Sequence, residues 1–127
     1  MPVDYLLVES IYDFHRYYGD DYTVECPHGS GRFLTLRQVA EELSRRLGGL
    51  FRSDETDRRP VHGDHPIYRD HEFRDRVLFN EYFHGDSGRG VGASHQTGWS
   101  GLIALLLQPR ASNDTDASSV AETGSPP

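Results

Sequence analysis

The sequence predicts an all-α fold with about three main helices and long loops, and the spacing of its apolar residues carries this prediction. In residues 3–18 and 35–51, apolar side chains recur every three or four positions, which places them along one face of a helix. Residues 99–107 form a third segment that is almost continuously apolar. We therefore expect these three segments to supply the core.

The first helix is predicted over residues 3–18. Pro2 suits the first helical turn, and Gly19, followed by two aspartates, ends the helix. Its apolar spacing predicts a buried face made of Val3, Leu7, Ile11, Phe14 and Tyr18, widened by Leu6 and Tyr17.

The second helix is predicted over residues 35–51 and has the clearest boundaries. The sequence Thr35-x-x-Gln38 is a capping box, in which each residue satisfies a backbone N–H of the other. Two glutamates precede two arginines by four residues each, which favours surface ion pairs, and Gly48-Gly49 marks the end. Thr97 can cap the third helix, which Gln108-Pro109 ends.

The segments between these helices carry loop residues. We expect residues 20–33 to be a loop with a short extended piece at 22–24, and residues 52–70 to be a long polar loop. Residues 71–83 predict a short helix that enters an irregular segment, and residues 84–98 are rich in glycine. Residues 110–127 have almost nothing to bury and predict a disordered tail.

Composition limits the classes of function. A chain of 127 residues is the size of one domain, and its net charge of −7 argues against nonspecific binding to nucleic acid. No apolar stretch is long enough for a membrane helix, so we expect no membrane partner. The one thiol, Cys26, cannot form an internal disulfide, which fits a reducing, cytoplasmic location.

Two clusters invite a ligand but have simpler explanations. His62, His65 and His71 lack the regular spacing of zinc ligands, so we interpret them as loop histidines and expect neither a metal nor a cofactor. The glycines of Gly88-x-Gly90-x-Gly92 do not follow a strand as a dinucleotide motif requires. They instead predict a tight loop whose backbone packs closely against a neighbour.

Glu81 is the candidate catalytic residue. It lies among aromatic residues, between Phe79 and Phe83, directly before the glycine-rich segment. Aromatic rings can stack on sugar faces, and a partly desolvated carboxylate can act as a base, as glycosidases require. The alternative is a half-buried glutamate with satisfied hydrogen bonds, and pattern alone favours that alternative.

A family resemblance changes this balance. The stretch Phe79-Asn-Glu-Tyr-Phe-His-Gly-Asp86, followed by Gly88-x-Gly-x-Gly-Ala-Ser-His-Gln-Thr-Gly-Trp-Ser-Gly101, resembles the C-terminal end of glycoside hydrolase family 63 and its mannosylglycerate-hydrolase-like relatives. Upstream pieces, including Glu25-Cys-Pro-x-Gly-Ser-Gly31, are similar to the bacterial and archaeal branch. The resemblance covers about residues 2–107.

The resemblance implies a fold, a reaction and site residues. The fold would be an (α/α)6 toroid, and the reaction an inverting hydrolysis of an α-linked glucoside or mannoside by two carboxylates. By motif position Glu81 corresponds to the general base, Gln96 to recognition of a sugar hydroxyl, and Trp99 to the pocket wall. Phe83, a further candidate substrate-binding residue, stands near the base where many relatives carry Tyr.

The same comparison implies that the enzyme is incomplete. The family's general acid, an Asp, lies far upstream of the Glu motif, and no Asp of this chain occupies its position. Residues 1–109 would thus be the C-terminal part of a catalytic barrel from a truncated, split or mis-started gene, inactive alone, with the missing N-terminal part on a separate chain as its partner. The alternative is a small non-catalytic helical module that binds a carbohydrate or a protein.

Overall fold

The structure, a computed structural model, describes residues 1–108. The predicted tail at 110–127 lies outside the described residues. Within residues 1–108, four α-helices, two single 3-10 turns and four short strands follow one another. In order they are α1 (Pro2–Tyr18), β1 (Thr23–Glu25), β2 (Phe33–Thr35), α2 (Leu36–Gly49), the 3-10 turns Pro60–His62 and Pro66–Arg69, β3 (Tyr82–Phe83), β4 (Gly90–Val91), α3 (Thr97–Ser100) and α4 (Ile103–Leu106).

The two long helices confirm the prediction made from periodicity. The capping box at the start of α2 is formed in both directions: Gln38 N–H donates to Thr35 Oγ1 at 3.3 Å, and Thr35 N–H donates to Gln38 Oε1 at 2.9 Å. Of the predicted ion pairs across this helix, Glu42 binds Arg46 at 2.7 Å and also Arg45 at 2.8 Å. The capping box and these ion pairs join residues that are close in sequence, so they do not depend on how the rest of the chain is packed.

The prediction of an all-α fragment of a toroid is wrong. Strands β1 and β2 pair antiparallel from Thr23 with Thr35 to Glu25 with Phe33, and β3 and β4 pair antiparallel at Tyr82 with Val91. The physical reason is that loops rich in glycine and proline cannot satisfy their backbone groups within a helix. Those groups pair across each turn instead, as short antiparallel ladders.

Two predicted helices also differ from the structure. The run at 99–107 is divided into the single turns α3 and α4, where Gly101 N–H donates to the carbonyl of Thr97 at 2.9 Å and Ala104 N–H donates to the carbonyl of Gly101 at 3.0 Å. Residues 71–75 form turns rather than a short helix, closed by Phe73 N–H donating to the carbonyl of Asp70 at 3.1 Å.

The core lies where α1, α2 and α4 meet. Its buried residues are Val8, Ala40, Ile103 and Leu106, and partly buried apolar and aromatic side chains surround them. Ala40 has no exposed surface, so α1 and α2 approach closely at this small residue. The core therefore uses a different face of α1 from the one predicted.

The predicted face of α1 is mostly exposed to solvent. Val8 is buried at the contact with α2, and of the predicted buried residues only Ile11 packs against the core. We call the remainder the exposed α1 face; it consists of Val3, Leu6, Leu7, Phe14, Tyr17 and Tyr18. Tyr17 is 82% exposed, and the ring of Tyr18 stacks on that of Tyr22 with centroids 5.0 Å apart. An apolar face of this extent marks a surface that another protein surface can cover.

The buried His62 gives the fold a pH dependence. Its ring lies flat on Tyr68 with centroids 4.0 Å apart, and its Nε2 lies 2.8 Å from the carbonyl oxygen of Arg76. Burial lowers the pKa of His62 below its ordinary value of 6.5; the contact with the carbonyl of Arg76 opposes this shift, and the nearby Arg59 adds to it. The unfolded chain therefore binds a proton more readily than the folded chain does. The stability present above pH 6.5 is lost as the pH falls through the folded pKa.

We expect His62→Gln to flatten this loss of stability. The measurement is the urea unfolding free energy from pH 5 to 8, and the control is His71→Gln, because His71 is exposed. If the unfolding free energies of both variants change with pH as that of the unmodified chain does, His62 does not control this pH dependence.

Candidate functional site

Glu81 lies on the extended segment that leads into β3, and its backbone and side chain are both fixed. Its N–H donates to the carbonyl of Ala93 at 2.9 Å, and the N–H of Ala93 lies 3.4 Å from Glu81 Oε2. The residue is half-buried. One carboxylate oxygen is thus oriented by a backbone donor, while the group remains partly open to solvent.

The glycine-rich segment packs closely against this strand, which confirms the prediction from its sequence. A Cβ on Gly90 would collide with the amide of Asn80. A Cβ on Gly92 would lie 2.6 Å from Glu81 Oε2 and 2.9 Å from Cε1 of Tyr82. Gly92 also has φ +74°, a conformation that L-residues rarely adopt. Glycine is therefore required at 92 for the carboxylate of Glu81 to occupy its place.

Gln96 and Trp99 belong to the same hydrogen-bonded unit as Glu81. Phe79 forms an isolated parallel bridge with His95, and Gln96 N–H donates to the carbonyl of Phe79 at 2.7 Å. The carbonyl of Gln96 in turn accepts from Trp99 N–H at 2.9 Å, at the start of α3. Trp99 is 47% exposed. Backbone hydrogen bonds thus link Gln96 and Trp99 to the segment that carries Glu81, while the sugar-binding roles of their side chains stay predictions.

Phe83 lies at the other end of the strand, among apolar side chains. Its ring meets that of Phe51 edge-on, with centroids 5.6 Å apart. Phe51 also approaches Phe79, with ring centroids 6.5 Å apart, so one ring packs near the residues two positions before and two positions after Glu81. A contact of Phe83 with substrate stays a prediction.

Two positioning residues were missed by the sequence analysis. Ser100 has no exposed surface, and its hydroxyl donates to the carbonyl of Asn80, the residue before Glu81. Asn80 is itself buried against Gly90. The one available signal was a serine inside an otherwise apolar run, and nothing in the sequence identifies its partner twenty residues away.

Three carboxylates in the described part of the chain, those of Glu25, Glu42 and Asp54, are poorly suited to act as a general acid. A general acid needs a raised pKa. In Glu25, Glu42 and Asp54, the pKa is lowered. Hydrogen bonds cause this: Gly31 N–H donates to Glu25 at 2.7 Å, and Arg45 binds Glu42, whose pKa falls to about 2.

None of the hydrogen bonds that orient Glu81 involves the three loop histidines His62, His65 and His71. His65 Nδ1 accepts from Ile67 N–H at 3.4 Å, and His71 lies exposed beside Asp70. Across residues 1–108, no group of three or more His, Cys, Asp or Glu side chains is arranged to hold a metal ion. In the same part of the chain, no helix has the length and apolar character needed to cross a membrane.

Comparison with known proteins finds a much longer relative. The chain is 50% identical, over 109 residues, to the uncharacterized protein YMR196W of Saccharomyces cerevisiae. The match covers 84% of this chain but only 10% of the yeast protein. No family model matches the chain, and no solved structure matches it. The chain therefore resembles about a tenth of a larger polypeptide. The name of that yeast protein states no activity.

Proposed function

We propose that this chain acts as part of a larger inverting α-glycoside hydrolase in which Glu81 is the general base. The single observation that carries the proposal is the setting of Glu81. Its carboxylate is half-buried, oriented by the N–H of Ala93 and placed against the backbone of Gly92. A base needs this combination of fixed geometry and partial access to water.

The reaction assigns each group a step. Glu81 accepts a proton from a water molecule whose oxygen attacks the anomeric carbon, while a carboxylic acid supplied from outside residues 1–108 protonates the departing glycosidic oxygen. The bond between the anomeric carbon and that oxygen breaks as the new C–O bond forms on the opposite face. Gln96 would bind a sugar hydroxyl, Trp99 would form a wall of the pocket, and an α-linked glucoside or mannoside would be the substrate. No cofactor takes part in these steps.

The proposal makes this chain inactive alone. Without a general acid, the rate falls by a factor on the order of 10²–10⁴. The exposed α1 face, and a yeast relative of which the match covers only 10%, both support a partner polypeptide that covers this face and supplies the acid. A cytoplasmic location belongs to the same proposal, since Cys26 is the one cysteine of the sequence.

One observation favours a second function, a non-catalytic module that binds a protein. A groove of about 500 Å³ includes three residues of the exposed α1 face; it is lined by Ser10, Asp13, Phe14, Tyr17 and Tyr18. Rigid aromatic side chains of this kind are enriched where proteins bind one another. In this alternative, Glu81 would have only a structural role.

Hydrolysis by a chimera separates the two functions. In the chimera, the part of this chain that matches the yeast relative replaces the corresponding segment of that relative. The 50% identity between the two segments favours correct folding of the chimera. We expect it to release reducing sugar from α-linked glucosides or mannosides, whereas the 127-residue chain alone releases none. A folded chimera that cleaves none of these substrates would support the binding module.

A further inference from the structure

A cavity of about 580 Å³ opens between the start of α1, the end of α2 and the hairpin of β3 and β4. Apolar side chains, including Leu50 and Phe83, form part of its wall. Its polar lining groups include Arg46, His84 and Asp86. The volume is that of a small-molecule site, and a mostly apolar wall with a few polar groups is typical of such sites.

His84 enters this cavity with a defined hydrogen-bonding role. Its Nδ1 accepts from the N–H groups of Asp86, at 3.3 Å, and Ser87, at 3.4 Å. Because Nδ1 is the acceptor, the neutral imidazole carries its proton on Nε2. That Nε2–H is left as a donor.

Arg46 and Asp86 add a donor and an acceptor of opposite charge. Arg46 uses its Nε to bind Glu42 at 2.7 Å, and its terminal nitrogens have no recorded partner among residues 1–108. The carboxylate of Asp86 has no recorded side-chain partner in that range either. The other acid, Asp4, binds the N-terminal amine at 2.9 Å. Balanced charges with both donors and acceptors suit an uncharged, hydroxyl-rich ligand better than an ion.

Tyr82 connects this cavity to Glu81. Its side chain lines the cavity and is 53% exposed. Its Cε1 also lies 2.9 Å from the Cβ position of Gly92, which is 2.6 Å from Glu81 Oε2. The ring is therefore a neighbour of both the carboxylate and the cavity, and it offers an aromatic surface between them.

We propose that this cavity is a saccharide-binding subsite that holds a neutral sugar unit next to the unit on which Glu81 acts. Arg46 and His84 donate to sugar oxygens, Asp86 accepts from a hydroxyl, and Tyr82 packs against the sugar. The choice of a sugar rests on the proposed function; the cavity and its hydrogen-bonding groups do not.

The test is a titration of the ¹⁵N-labelled 127-residue chain with maltose and, separately, with α-1,2-mannobiose. We expect saturable amide shifts at residues 82–88 with at least one disaccharide. Asp86→Ala and Arg46→Met should each weaken binding about tenfold, as the loss of a charged hydrogen bond does. Asp21→Asn, an exposed change in the turn after α1, is the control and should leave the affinity unchanged.

Absence of saturable shifts with both sugars, or equal affinity in the Asp86 variant and the control, would overturn the subsite. The chimera gives a second measurement, in which Asp86→Ala should raise KM about tenfold with little change in kcat. An unchanged KM there also overturns the subsite.

Failure of the subsite can be told apart from failure of the proposed base. Hydrolysis by the chimera with no effect of Asp86→Ala rejects the subsite alone. Disaccharide binding by the chain, with full turnover by a Glu81→Gln chimera, rejects the base alone.

Discussion

Glu81→Gln in the chimera is expected to lower kcat by a factor on the order of 10²–10⁴, or about 3–5 kcal/mol in the activation barrier. A glutamine amide cannot accept the proton of the attacking water at neutral pH. Its Oε1 can still accept from the N–H of Ala93, which lies 3.4 Å from the present carboxylate, so the local fold should persist. The measurement is kcat and KM on the best α-glycoside.

A matched control makes this result specific. Glu41→Gln changes an exposed carboxylate on α2 and removes the same charge, so it should leave kcat unchanged. The thermal melt of both variants by circular dichroism should match that of the unmodified chimera. Turnover by Glu81→Gln at a rate close to that of Glu41→Gln would mean that Glu81 is not the base.

Gly92→Ala is expected to destabilise the isolated chain by about 2–3 kcal/mol. Part of this loss comes from the positive φ of +74°, which a Cβ makes unfavourable. The rest arises because that Cβ would lie 2.6 Å from Glu81 Oε2 and 2.9 Å from Glu81 Cβ, so the glutamate must move. Urea unfolding at pH 7 measures the change.

Gly98→Ala is the control for Gly92→Ala. Gly98 lies within α3, has no atom within 4 Å of its Cβ position, and carries no positive φ. Its replacement by alanine should be neutral or stabilise the helical turn by up to about 1 kcal/mol. Equal stability of the two alanine variants would mean that the side chain of Glu81 does not lie over Gly92.

Local signals in the sequence were enough to predict the long helices but not the side of α1 that is buried. The capping box of α2 and the three- or four-residue spacing of apolar residues in both helices depend only on residues within one helix. However, α1 has apolar residues around most of its circumference, including Tyr5, Val8 and Tyr12 on the side that packs. The choice between faces depends on which one meets Ala40 of α2, and that is a tertiary contact.

The strands and the supports of the candidate site were harder to predict for a related reason. Strands of two or three residues are too short to show an alternating pattern. The close approach of the glycine-rich loop could be predicted, because glycine is needed where backbone meets a side chain. The partners of this loop could not be predicted, since Gly90 meets the side chain of Asn80 across the hairpin. The carbonyl of Asn80 in turn accepts from the hydroxyl of Ser100 in α3, twenty residues away.

The most direct test of Glu81 as a general base is the anomeric configuration of the first sugar released. The chimera would be mixed with an α-linked glucoside or mannoside, and the ¹H NMR spectrum recorded before mutarotation equilibrates the product. Attack by a base-activated water on the face opposite the departing oxygen predicts that the β-anomer appears first. Initial release of the α-anomer would contradict this role, because retention requires a carboxylate nucleophile in place of an activated water.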